Sequence, residues 1–202
     1  TAHLGLSKLQ KTMINYYLNR MGIFQSEAGF PTTSHEINYL NANIKLAKKK
    51  VLYPIRLSGW LRAIPEDVEL AFKSVPGIEH MNISISTSEQ MIVGKFLGKM
   101  KFKDVLSSMV DALKLAREKG IKSIGVNAED ASRTKLKNLI EFAATAKENG
   151  ADRIRYCDTL GFDSPFTIYE KIYKIVKEVK IPVELHCHND LGMAVACSVA
   201  GA

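Results

Sequence analysis

Two histidines stand two residues apart in "KIPVELHCHNDLG" (180–192), at the end of an apolar run that reads as a strand. Residues two apart on a strand share a face. His186 and His188 are therefore expected to point the same way, and Cys187 the opposite way, into packing. Two neutral imidazoles suit a divalent transition metal, but a catalytic ion would need further oxygen ligands and an open position. Taken alone, the pair reads sooner as two satisfied polar residues where a strand ends. In "NDLG", Asn189 or Asp190 is placed to cap the next helix and hold the histidines rigidly.

Other residues of chemical interest also fall at strand ends. Glu129 in "GVNAEDASR" could move a proton as an acid/base group, or could favour a helix start through its charge, as Asp130 could. Thr159 in "DTLG" offers a hydroxyl to a substrate carboxylate or to its own turn, and Asp158 reads as structural or catalytic. Arg62, after "SGW", could pair with an anionic substrate or with a carboxylate such as Glu27. Glu27, in "EAGFP", in turn suits a structural pair with an arginine. Ser86 adds a hydroxyl at the end of its own strand and is a candidate substrate-binding group with Thr159 and Arg62. His3, His35 and His80 have no such context.

The elements that must position these groups follow a beat of about thirty residues. Strands are expected at 22–30, 50–58, 78–86, 121–129, 152–159 and 181–188. Amphipathic helices lie between them, such as "FKDVLSSMVDALKLAREKG" and "LKNLIEFAATAKENG", which Gly120 and Gly150 are placed to end. "SPFTIYEKIYKIVKEVK" opens with Ser164 as N-cap and Pro165 at the first helical position. Strict alternation implies βαβ units around a parallel sheet. No GxGxxG or GxxxxGK[ST] follows any strand, which argues against a nucleotide-binding doubly wound sheet. All six expected strand ends carry hydrogen-bonding or ionisable groups: Glu27; Arg56 and Ser58; Asn82, Ser84 and Ser86; Asn127 and Glu129; Asp158 and Thr159; His186 and His188. That distribution favours an α/β fold of the (β/α)8 TIM-barrel type, whose mouth is the site. Six strands where eight are needed make residues 1–202 a partial catalytic domain covering about strands 2–7. One strand is then expected before Thr1 and one after Ala202.

Composition narrows the classes. At 202 residues and 46% hydrophobic, the chain can bury a core as one domain. Lys+Arg 28 against Asp+Glu 21 gives +7, but the positives are spread along helical segments, as in "KLAKKK", without an aromatic-interleaved stripe. No nucleic-acid partner is expected, and the mild positive charge suits acidic small substrates. Three cysteines form no CxxC pair, so neither a disulfide framework nor a structural zinc site is indicated. No run approaches a membrane span and no signal-peptide pattern is visible, so a cytoplasmic protein without a membrane partner is expected.

"SEAGFPTTS", the Arg in "WLRA", "NISISTSEQM…KFLGK", "VNAEDASR", "RYCDTLG…P" and "ELHCHNDLGMAVA" occur in one order along essentially the whole chain. Together they resemble the homocitrate synthase/2-isopropylmalate synthase family of TIM-barrel, metal-dependent acyltransferases. The resemblance implies a Claisen condensation of acetyl-CoA, as co-substrate, with a 2-oxo acid, assisted by a divalent metal (Mg, Mn or Zn). It also implies that His186 and His188 bind the metal, that Glu129 is the active-site glutamate, and that Thr159 lies near the substrate carboxylate. The family's Arg-Asp-Gly-Glu-Gln segment would end just before Thr1, and its late asparagine would lie beyond Ala202. Cys197 departs from the usual "AxAN". Met91 stands where the isopropylmalate branch carries a histidine. With "DTLG", it points to the nitrogenase-associated homocitrate synthases and 2-oxoglutarate. Isopropylmalate or citramalate synthesis is the nearest alternative. A hydroxymethylglutaryl-CoA lyase-like or aldolase enzyme is another, and one subunit of a split barrel is the non-enzymatic one. A homodimer or a complementary subunit is the expected protein partner.

Overall fold

The computed structural model describes residues 5–202, so His3 lies outside the described residues. Six strands alternate with eight helices. They are α1 (Lys8–Arg20), β1 (Gln25–Gly29), α2 (Ser34–Lys48), β2 (Arg56–Arg62), α3 (Pro65–Ser74), β3 (His80–Ser86), α4 (Glu89–Lys95) and α5 (Phe102–Glu118). There follow β4 (Ser123–Glu129), α6 (Leu136–Glu148), β5 (Arg153–Asp158), α7 (Pro165–Val179), β6 (Val183–Cys187) and α8 (Ala194–Ala200). All neighbouring strands are parallel and their order in the sheet is their order in the chain. A doubly wound sheet reverses its order at a switch point; this one never does.

The sheet curls. β1 and β5 are four strand spacings apart, about 19 Å across a flat sheet, farther than an Arg and a Glu side chain can span between them. Yet Arg155 Nη1 lies 2.6 Å from Glu27 Oε2. The six strands therefore form an arc of a (β/α)8 barrel, as the alternation predicts.

The outer face of the arc is apolar. Ile83, Ile124, Val126 and Ile154 point toward the helices and are buried there. They meet Val105, Met109 and Leu113 of α5 and Phe142 and Ala146 of α6, which recur at helical spacing and are fully buried. Truncating one such side chain to alanine typically costs ~2–5 kcal/mol. The helix signals act as read: Ser164 Oγ accepts from Thr167 N–H ahead of Pro165, and Gly120 and Gly150 take positive φ where α5 and α6 end.

One strand differs from expectation. The segment 50–58 was expected to end at Arg56 and Ser58, but β2 starts at Arg56 and ends at Arg62. Lys50 turns the chain out of α2 in the left-handed conformation, and Pro54 has no N–H for a ladder. Pairing begins only beyond the proline. Arg56 thus stands at the bottom of the arc, and Arg62 takes the strand-end position. No described helix is long and apolar enough to cross a membrane.

Candidate active site at the C-terminal rim

The register fixes which residues face the hollow of the arc. Ser86 pairs with Glu129, Asn127 with Arg155, and Cys157 with His186. Stepping two residues along β4 and β5 sets Glu129 beside Cys157. Ser86, Glu129, Cys157 and His186 therefore form one row across four strands at the rim. Below it runs a second row, Ser84, Asn127, Arg155 and Glu184. The backbone bridge that closes the first row runs from Thr87 N–H to Glu129 C=O at 3.0 Å.

Glu129, the carboxylate of the upper row, has both oxygens held. Its Oε1 accepts from Ser84 Oγ at 2.8 Å. Its Oε2 accepts from Ser86 Oγ and Lys95 Nζ, both at 2.7 Å. Burial pushes the Glu129 carboxyl up, but the Lys95 ammonium and the two serine hydroxyls outweigh it and hold it below its ordinary value. Ser86, expected to meet substrate, spends its proton on Glu129. Lys95 carries no signal in a reading of strand ends, because it reaches the rim from the last turn of α4; only the "KFLGK" segment marked its neighbourhood.

His186 and His188 do share a face, with rings 12° from parallel and centroids 5.1 Å apart. Desolvation and the Arg155 charge push the His186 imidazolium down, favouring the neutral ring that binds metals. Cys187 points the other way, packed against the core and α8. Two imidazoles at a rim lined with oxygen donors fit a divalent ion in ligand type. Among the described residues, no third His, Cys, Asp or Glu joins them in a metal-holding group. Asn189 Oδ1 accepts from Ala194 N–H at the start of α8, so Asn189 rather than Asp190 fixes the turn after the histidines.

Beneath the rim lies a closed ring of charge. Glu27 accepts from Arg155 (2.6 Å) and from Asn82 (2.7 Å). Arg155 also donates to Glu184 (3.0 Å), Glu184 accepts from Arg153 (2.5 Å), and Arg153 donates back to Asn82 (2.7 Å). Burial opposes the Arg155 charge, and Glu27 and Glu184 more than restore it. Glu27 is thus the structural carboxylate paired with an arginine. Its partner is Arg155, however, because Arg62 is taken elsewhere. Asn127, in the same layer, is buried with its Oδ1 unpartnered among the described residues.

The remaining expected groups divide between rim and scaffold. Thr159 Oγ1 accepts from Asp130 N–H at 2.9 Å, joining the ends of β5 and β4. Asp158 accepts backbone N–H groups of Phe162 and Asp163 and is buried, which makes it structural. Asp130 is structural too: fully buried in a left-handed backbone, it is held by Ser88 and by the Arg133 guanidinium. Arg62 grips Asp67 with Nε at 2.8 Å and Nη2 at 2.7 Å, its outer edge still open to solvent. Cys157, in the row between Glu129 and His186, was given no role by its sequence context. Burial pushes its thiol up to about 12, so it lines the hollow as an inert group. Cys197 is buried against the Asp163 carbonyl, so the departure from "AxAN" is accommodated as packing.

A singly wound parallel arc with its ionisable groups gathered at the C-terminal ends of the strands defines an α/β-barrel of the enzyme type. The chain belongs to the HMGL-like family, whose model matches residues 1–202. It is 60% identical over 202 residues to citrate (Re)-synthase from Dehalococcoides mccartyi, covering 100% of this chain and 49% of the relative. It is 41% identical to 2-isopropylmalate synthase 2 of Caldanaerobacter subterraneus subsp. tengcongensis (100% and 50% covered). Identity to homocitrate synthase 1 of Nostoc sp. is 34% over 193 residues (95% and 48%). The chain spans about half the length of these curated relatives. Among solved structures, the HMG-CoA lyase from Brucella melitensis superposes with a TM-score of 0.79 at 15% identity, over 98% of this chain and 71% of that one. That likeness supports the barrel fold.

Proposed function

We propose that this chain supplies most of the barrel of an acyltransferase that condenses acetyl-CoA with a 2-oxo acid. The observation that carries the reading is the shared rim: His186, His188 and the carboxylate of Glu129 face one hollow, in a chain whose relatives are named as synthases. His186 and His188 would hold a divalent ion, which supplies Lewis acidity toward the 2-oxo acid. The chain's own residues orient and move protons. Glu129, charged and fixed by Ser84 and Ser86, acts on the proton that leaves the acetyl methyl group as the new C–C bond forms. Thr159 offers its hydroxyl to the substrate carboxylate, and the solvent-facing edge of Arg62 adds positive charge at the rim. One proton leaves the methyl group and one is taken up by the keto oxygen, which ends as a hydroxyl; water then cleaves the thioester to a carboxylate and the CoA thiol.

Two substrates compete. The 60% identity to a citrate (Re)-synthase favours oxaloacetate, giving citrate. Met91, on α4 beside the rim, supports 2-oxoglutarate, giving homocitrate. A cytoplasmic location suits either. The test is thiol release from acetyl-CoA by the full-length protein, loaded with Mg, Mn or Zn, with oxaloacetate, 2-oxoglutarate or 2-oxoisovalerate added separately. Release that requires a 2-oxo acid, greatest with oxaloacetate, is expected. Cleavage of an acyl-CoA without any added oxo acid would indicate a lyase and overturn the proposal.

A further inference from the structure

Lys95 has no role in the reaction proposed above, yet among the described residues it is the one cation in contact with Glu129. It is the last residue of α4, which ends where Leu97 and Gly98 both turn to positive φ. From there its ammonium reaches across the rim to Glu129 Oε2 at 2.7 Å and to Ser86 Oγ at 3.2 Å. Ammonium, hydroxyl and carboxylate close a triangle, because Ser86 Oγ also donates to Oε2. The other carboxylate oxygen is held by Ser84. Three donors from two elements thus fix both oxygens.

The other groups facing Glu129 do not duplicate this role. From β5 comes Cys157, a neutral thiol, and beneath it Arg155, whose charge is committed to Glu27 and Glu184. Asp130, next in sequence, turns away to Ser88 and Arg133. Within β4, Asn127 is neutral. Without Lys95, Glu129 would keep its desolvation and lose the one ion pair it has among the described residues. Burial alone favours the protonated acid, which neither accepts a methyl proton nor holds the same orientation.

We propose that Lys95 is a positioning residue for Glu129, keeping its carboxylate charged and aimed into the hollow from outside the strand framework. The inference rests on the proposed acid/base role of Glu129 only for its effect on rate. Its geometric content is independent of turnover. Lysine is suited to this place: a compact ammonium on a flexible stem can meet a carboxylate and a hydroxyl at once.

The experiment uses the full-length protein as wild type, Lys95→Met, Lys95→Gln and Lys95→Arg, with Glu129→Gln to assign the signal. Glu129 is titrated by carboxyl 13C NMR, and kcat/KM is followed against pH. In Lys95→Met and Lys95→Gln the Glu129 carboxyl is expected to titrate at higher pH than in the wild type. The acid limb of kcat/KM should move up with it, and turnover near neutrality should fall roughly tenfold or more. Lys95→Arg should restore most of the titration. An unmoved Glu129 titration in both neutral variants overturns the proposal. So does a loss of activity with an unmoved acid limb, which would mark a substrate contact instead. A moved titration in a protein with no condensing activity upholds Lys95 as the partner of Glu129 and sinks the reaction proposed for the rim.

Discussion

Arg155 on β5 and Glu27 on β1 meet across the hollow with Nη1 2.6 Å from Oε2, although 128 residues separate them in the chain. The contact ties an early strand of the arc to a late one and supports the layer directly below the histidines. Both side chains are mostly shielded from solvent, and the same guanidinium also serves Glu184. Substituting Arg155→Met should leave Glu27 without its cation and Glu184 with Arg153 alone. The penalty for leaving partly buried charge unpaired is expected at about 2 kcal/mol or more, read as a lower denaturant midpoint with unchanged slope. Arg155→Lys should recover only part of this, because a single ammonium cannot reproduce the two-way fork.

The ring also depends on a missing side chain. Gly125 faces the hollow between Asn82 and Arg153, and a Cβ there would overlap Asn82 Oδ1 and come within 3.1 Å of the Arg153 guanidinium. Gly125→Ala must therefore displace the Arg153–Asn82 hydrogen bond. The expected loss is about 1–3 kcal/mol. Because Asn82 also donates to Glu27, combining Gly125→Ala with Asn82→Ala should cost less than the sum of the two singles. Chemical denaturation of the four-member cycle measures this.

Much of this architecture was legible in the chain. Strand–helix alternation and the polar strand ends predicted the barrel, because each strand must bury one apolar face against helices and leave its C-terminal end to solvent and ligand. Alternation along the strand put His186 and His188 on one face and turned Cys187 away from it, and the polar strand ends put Glu129 at the same mouth. What escaped the reading was long-range or off-strand. The start of β2 was missed because "KVLY" is as apolar as a strand; the turn at Lys50 and the missing N–H of Pro54 decide otherwise. Arg155 drew no reading from the sequence, since its partners lie 128 residues earlier and 29 residues later. Lys95 reaches the rim from a helix, where no strand-end rule could find it.

His80 gives a pH signature unrelated to the rim. It opens β3 at the bottom of the arc with a buried Nδ1 that has no partner among the described residues. Desolvation, then the nearby Arg56, pushes its pKa below the ordinary 6.5. The unfolded chain thus binds this proton more readily than the folded one, so His80 favours the fold above pH 6.5 and that contribution is lost as the pH falls below it. The thermal midpoint should drop between about pH 7 and pH 5. His80→Gln should flatten that part of the curve, and an unchanged slope in the variant would assign the drop to other groups.

The two histidines allow the sharpest separation of metal binding from folding. Their rings are parallel and face the hollow, while Cys187 between them packs against the core and α8. In the full-length protein, His186→Ala and His188→Ala should each lower bound divalent metal, measured by elemental analysis after dialysis against trace metal. Affinity should fall by at least about tenfold, with little change in the metal-free thermal midpoint, because neither residue is part of the buried core. Cys187→Ala should show the reverse: full metal content and a lower midpoint from the packing lost behind the strand. A thiolate ligand would instead make Cys187→Ala lose metal, and its outward direction on β6 argues against that. Retention of stoichiometric metal by the double variant His186→Ala/His188→Ala would move the metal site away from this rim altogether.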